Sequence, residues 1–204
     1  AGIVGCTQEP PPEPVAEKPE PVAEEPEPVA EEPEPVAEEP EPVAEEPEPV
    51  SEKPTEEQKT AIAKLRQLGA KVTLDEDGAA VLLDLEDTQI TDAGLVHLKG
   101  LAKLKGLNLH ATQITDAGLE HLKDLTDLKG LALSGTQITD AGLVHLKGLS
   151  NLKRLGLGTQ VTDAGLVHLK GLMNLQELWH NSTKVTDKGV KKLQEALPNC
   201  KIVH

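Results

Sequence analysis

The chain has 204 residues, one tryptophan and neither phenylalanine nor tyrosine, so any core it builds is aliphatic. Its formal net charge of -15 is entirely local: Ala1 to Pro54 holds 17 acidic residues against two lysines, and the remainder carries 18 acidic and 18 basic side chains. A balanced domain beside an acidic tail has no basic footprint for nucleic acid, no run of about 18 apolar residues is present to span a membrane, and two cysteines at opposite ends, Cys6 and Cys200, make no disulfide framework.

In chain order, the sequence begins at Ala1 rather than Met, as a fragment or a processed product would. Ile3-Val4-Gly5-Cys6 resembles the lipobox of bacterial lipoproteins, in which the cysteine is acylated and the peptide before it is removed. The resemblance implies that residues 1–6 end a signal peptide, that Cys6 is lipidated, and that the protein sits in the bacterial cell envelope, touching the membrane only through its acyl chains. An incidental free cysteine is the alternative.

Residues 7–54 are of low complexity, and 15 of the 16 prolines fall before Thr55. A seven-residue unit, Pro-Glu-Pro-Val-Ala-Glu-Glu, starts at Pro19, Pro26, Pro33, Pro40 and Pro47. Two prolines per period forbid a continuous helix. One valine and one alanine per period cannot offset the entropy lost on folding. The expectation is a disordered spacer near polyproline II, which at ~3.1 Å per residue reaches on the order of 150 Å. Its composition is similar to the Pro/Glu-rich spacers of bacterial envelope proteins; a merely solubilising tail is the alternative.

Residues 55–79 read as an N-terminal cap. Thr55 to Gly69 has a capping-box start and a glycine stop and predicts an amphipathic helix. Lys71–Leu74 and Ala79–Leu85 predict strands joined by a hairpin turn at Asp75-Glu76-Asp77-Gly78. That turn starts like a calcium loop but lacks the distal glutamate such loops need.

Residues 80–204 are repetitive. Thr-Gln-Ile-Thr-Asp-Ala-Gly-Leu starts at Thr88, Thr112 and Thr136, with variant copies at Thr159 and Thr183, at intervals of 24, 24, 23 and 24. One unit, Leu104 to Leu125, resembles the leucine-rich-repeat pattern L-x-x-L-x-L-x-x-N, with Thr112 at the usual Asn position, in the bacterial subtype carrying T-D-A-G-L. The expected fold is an α/β leucine-rich-repeat solenoid with parallel strands on the concave face and short helices on the convex face. Leu107 and Leu109 would point inward and Asn108 outward. Thr115 reads as a helix N-cap, with Asp116 favouring the positive helix end, and Leu119 and Leu122 give the helix its buried face. Leu197, Cys200, Ile202 and Val203 would seal the far end of the core. No single unit can bury its own leucines, but stacked units share one core.

Candidate sites follow from the repeat. His97, His121, His145 and His168 form a row, but no cysteine or second histidine joins them within a unit, so they read as surface residues rather than metal ligands. The aspartate row from Asp92 to Asp187 could in principle hold calcium; helix N-terminal capping fits it better. No nucleophile–base constellation, phosphate loop or metalloprotease motif occurs, and no cofactor or enzymatic activity is expected. The concave rows are Asp84, Asn108, Ala132, Gly156, Trp179 and, beside it, Leu82, Gly106, Gly130, Arg154, Glu177. Trp179 with Arg154 and Glu177 is the hot-spot-type cluster, and Asn108, His110 and Asp84 are the other partner-binding candidates. Packing near the C-terminal cap is the alternative for Trp179, and His180 stands where an inward leucine is expected. The reading is a monomeric protein-interaction module whose partner is a protein or a glycan. Its bare middle, Gly106, Gly130, Ala132 and Gly156, favours the alternative of a structural cap on a stalk with no specific ligand.

Overall fold

The computed structural model describes residues 53–204; Cys6 and nearly all of the expected spacer lie outside the described residues. Helix α1 (Glu56–Gln67) begins with a reciprocal capping box, in which Gln58 N–H donates to Thr55 Oγ1 at 3.2 Å and Thr55 N–H donates to Gln58 Oε1 at 2.9 Å. Gly69, at φ 96°, turns the chain out of the helix. Ile62 and Leu65 are its buried face, and Gln58 Nε2 donates to Gly100 O at 2.6 Å, fastening the helix to the first coil.

Strand β1 (Lys71–Leu74) runs antiparallel to β2 (Ala80–Asp84). Asp75 shapes the turn between them by accepting the N–H groups of Asp77 and Ala79. From β2 onward the sheet is parallel through β3 (Gly106–Asn108), β4 (Gly130–Ala132), β5 (Arg154–Gly156), β6 (Glu177–Trp179) and β7 (Lys201–Val203), in sequential order. This is a leucine-rich-repeat solenoid. One aliphatic cluster runs from Ile62 to Cys200 through every coil, which is how a chain without phenylalanine or tyrosine forms a core.

The convex side carries the expected short helices, most of them 3-10. After α2 (Asp92–Leu95) it consists of 3-10 segments, Val96–Leu98, Gly118–Leu122, Gly142–Leu146 and Gly165–Leu169. The leucine spacing is compatible with the 3-10 form. Leu119, Leu122, Leu125, Leu128 and Leu131 recur every third residue and all are buried, and a helix with three residues per turn puts positions i and i+3 on one line. Helix α3 (Asp187–Ala196) ends the series, and Leu193, Leu197 and Cys200 are buried beneath it.

The aspartates also do something other than cap. Asp92 accepts Thr115 N–H at 2.9 Å and the Thr115 hydroxyl at 2.6 Å, and the same double bond joins Asp116 to Thr139, Asp140 to Thr162 and Asp163 to Thr186. Each carboxylate therefore serves the next coil, not the helix end of its own. The hydroxyls of Thr115 and Thr139 accept only long bonds from the N–H two residues on, 3.4 Å at Ala117 and 3.3 Å at Ala141, whereas Thr186 caps α3 as expected, accepting Gly189 N–H at 3.3 Å. The hydrogen bonds from Thr186 hold the Asp163 carboxyl below its ordinary value of 3.8, with Lys192 and Lys188 adding to the effect and burial opposing it.

Coil junctions share one more feature. Asp87, Ala111, Gly135 and Ser182, each just before the repeat threonine, have φ of 55°, 53°, 73° and 58°. The 23-residue interval omits this left-handed residue: Leu157 and Gly158 lead directly to Thr159, and Gly158 lies against Thr136 Oγ1 and Ile138.

Candidate functional site

The sheet register brings the outward positions into rows. Asp84, Asn108, Ala132, Gly156, Trp179 and Val203 are successive partners along one row, and Leu82, Gly106, Gly130, Arg154, Glu177 and Lys201 along the next. Because the middle of both rows carries almost no side chain, the concave face is hollowed into a groove of about 580 Å³, within the range of pockets that hold small ligands or segments of chain. Its floor is Gly106, Gly130, Ala132 and Gly156, with Leu82 and Asp84 at one end and Arg154, Trp179 and Asn181 at the other.

The two ends differ in charge. At the N-terminal end Asn108 Nδ2 donates to Asp84 Oδ1 and to Glu86 Oε2, both at 3.0 Å, so one amide holds two carboxylates side by side. Asn108 Oδ1 in turn accepts His110 N–H at 3.0 Å, which fixes the amide's orientation. Lys71 lies 3.7 Å from Asp84, but its side chain is largely in water, where such a pair is weak and competed by solvent. At the other end the Arg154 guanidinium lies over Gly130, about 3.9 Å from where that residue's Cβ would be. It makes no ion pair among the described residues. Leu82 is 49% exposed and leans over Gly106; Trp179 is half-buried at the opposite wall.

Of the candidates named from sequence, Asp84, Asn108, Arg154 and Trp179 line this groove. Glu177 is beside Arg154's position in the next strand but outside the lining, and His110 stands behind Asn108. Leu82, placed by the sequence in the flanking row without being singled out, is a lining residue, and so is Ser134. The signal for Leu82 was available: with Trp179 it is one of two large apolar side chains facing outward at either end of the bare positions. His180 takes the inward leucine's place without disturbing register. It is 8% exposed, its N–H donates to Val203 O at 3.0 Å, and its ring lies 4.9 Å from that of His204. Burial, with the positive charge available to His204 adding to it, pushes the His180 pKa below 6.5. The row of His97, His121, His145 and His168 is half-buried on the convex side. No group of three or more potential metal ligands comes together among the described residues.

Comparison with known proteins gives the fold its relatives. No family model matches the sequence, and no curated protein does. An internalin (inlF) of Listeria monocytogenes aligns with 60% of this chain at 29% identity and a TM-score of 0.51. Internalin C2 of the same bacterium aligns with 70% of it at 30% identity and a TM-score of 0.51. The chain spans 34% and 61% of the lengths of those two proteins. The leucine-rich-repeat ectodomain of a receptor kinase from Arabidopsis thaliana, 14% identical with a TM-score of 0.50 over 74% of this chain and 92% of its own, shares the fold alone. The described residues thus form a leucine-rich-repeat solenoid similar to those of bacterial leucine-rich-repeat proteins.

Proposed function

We propose that this protein is a non-catalytic interaction module that holds a partner protein in the groove of its concave face. The observation that carries the reading is the groove itself: an apolar trough with a tryptophan wall, an arginine without an ion pair among the described residues, and an acidic end, in a solenoid otherwise covered by balanced charge. A protein fits better than a glycan, because the floor is leucine, glycine and alanine and carries few of the hydrogen-bonding side chains that a polyhydroxylated ligand needs. Tethering to the bacterial envelope through Cys6 and a long Pro/Glu-rich spacer belongs to the same proposal. It rests on the lipobox-like residues and the proline repeat.

The test is photo-crosslinking from position 132, in the groove floor, with the full chain expressed in a bacterial host. Adducts to a discrete protein, lost in Trp179→Ala and absent when the crosslinker is moved to position 121 on the convex side, are the expected result. Adducts retained equally well in Trp179→Ala, or formed equally well from position 121, would remove the groove from the function and leave the stalk-and-cap alternative. For the anchor, Cys6→Ser is expected to move the protein from the membrane to the soluble fraction.

A further inference from the structure

The glycines of this protein fall into two groups that the fold treats differently. A Cβ on Gly118, Gly142, Gly165 or Gly189 would collide with the aspartate of the preceding coil, so the stacking requires glycine there. The groove-floor glycines are under no such demand. None has a positive φ. A Cβ on Gly130 would meet nothing closer than the Arg154 guanidinium at 3.9 Å, and one on Gly156 nothing closer than Ser134 Oγ at 3.4 Å. At Gly106 it would displace only the end of the flexible Leu82 side chain. Glycine inside a strand weakens it, and marks places where another backbone comes close. Bareness here serves a visitor rather than the fold.

The charges say how that visitor is arranged. Asp84 on β2, with Glu86 just beyond that strand, lies three strand spacings from Arg154 on β5, and with their offset along the strands the separation is roughly 15 Å, the span of four or five extended residues. We propose that the groove takes an extended peptide segment of the partner, laid across β2 to β5, with a basic side chain on Asp84 and Glu86, small apolar residues over the glycine floor, and a carboxylate on Arg154. This rests on the groove being the partner site. The segment's backbone lies on the bare sheet face, its apolar side chains reach Leu82 and Trp179, and its two charges set the length that fits.

Trp179 is the only tryptophan in the chain, so its fluorescence reads this groove directly. The probes are end-blocked peptides with a central Lys-Ala-Val-Ala-Glu, the same with glutamine at both charged positions, with lysine at both, and with the charges only one residue apart. For the full chain, the Lys/Glu peptide is expected to bind at least ~10-fold more tightly than the glutamine peptide. Arg154→Glu is expected to transfer the preference to the Lys/Lys peptide. Gly130→Val is expected to lose binding while its melting temperature stays level or rises, which separates a filled groove from a damaged fold. Equal binding of all four peptides, no response to any, an unchanged preference in Arg154→Glu, or undiminished binding by Gly130→Val would overturn the proposal. So would binding of a chitin oligosaccharide in place of the peptides. If the position-132 crosslink persists while the peptides fail, only this inference falls; if the crosslink fails too, the partner site falls with it.

Discussion

Within each coil one threonine, one aspartate and one glycine form a set whose members meet only across the junction. The aspartate of one coil accepts two hydrogen bonds from the threonine of the next, and the glycine three residues beyond that threonine leaves room for the carboxylate. At Gly142 an added methyl would press on Asp116 Cγ at 3.0 Å and on its Cα at 3.2 Å, so the backbone itself is in the way. Gly142→Ala is therefore expected to cost ~1–3 kcal/mol in urea unfolding, while Gly130→Ala, facing open groove, costs nothing. Ala111 is the opposite case, an L-residue held at φ 53° where such geometry costs ~1–2 kcal/mol. After the extra chain entropy of glycine is subtracted, Ala111→Gly is expected to stabilise by roughly 0.5–1 kcal/mol; a lowered unfolding midpoint would contradict this. The sequence displayed all three ladder residues, but reading them within one repeat led to helix capping. A bond between residues 23 apart is invisible until the coils are stacked.

Among the elements, the chain just after strand β6 carries the one ionisable side chain among the three buried polar residues of the described part, the others being Thr112 and Thr136. His180 is buried in the leucine row and packs on His204. Its folded pKa is lowered, chiefly by burial, so the unfolded chain takes up a proton first as pH falls. Its neutral form is fully compatible with the fold above pH 6.5, and stability is lost as pH drops below that value toward the folded pKa. Thermal melts from pH 7.5 to 5.5 are expected to fall for the native chain, and to fall less for His180→Leu. An identical slope in the variant would place the effect elsewhere. The 3-10 segments teach a related lesson. Their leucines stand at a period of three, which suits three residues per turn, but Leu95 and Leu98 keep the same spacing after the α-helical Asp92–Leu95, so spacing alone did not mark the 3-10 form.

For the whole molecule, stability is built from neighbours. Each coil touches only the coils beside it, and α1 and α3 cover leucines that would otherwise face water. Cys200 sits inside this C-terminal packing as part of the core, and burial together with nearby Glu177 raises its thiol pKa. The architecture was legible because repetition multiplies a weak signal: one leucine pattern is ambiguous, and five in register are not. The groove was only half legible. Trp179, Arg154, Asn108 and Asp84 stood out as side chains, whereas the hollow between them is made of atoms that are missing, and absent side chains at Gly106 and Gly130 read as emptiness until the sheet gave them walls.

The forward reach of each aspartate has an outcome for how such a molecule can change size. Since every coil presents an acceptor ahead and a donor pair behind, a duplicated 24-residue unit would find both connections ready wherever it was spliced in. The trough would grow by one strand spacing, about 4.8 Å, and the distance between its acidic and basic ends would grow with it. The solenoid is in that sense a ruler with removable gradations.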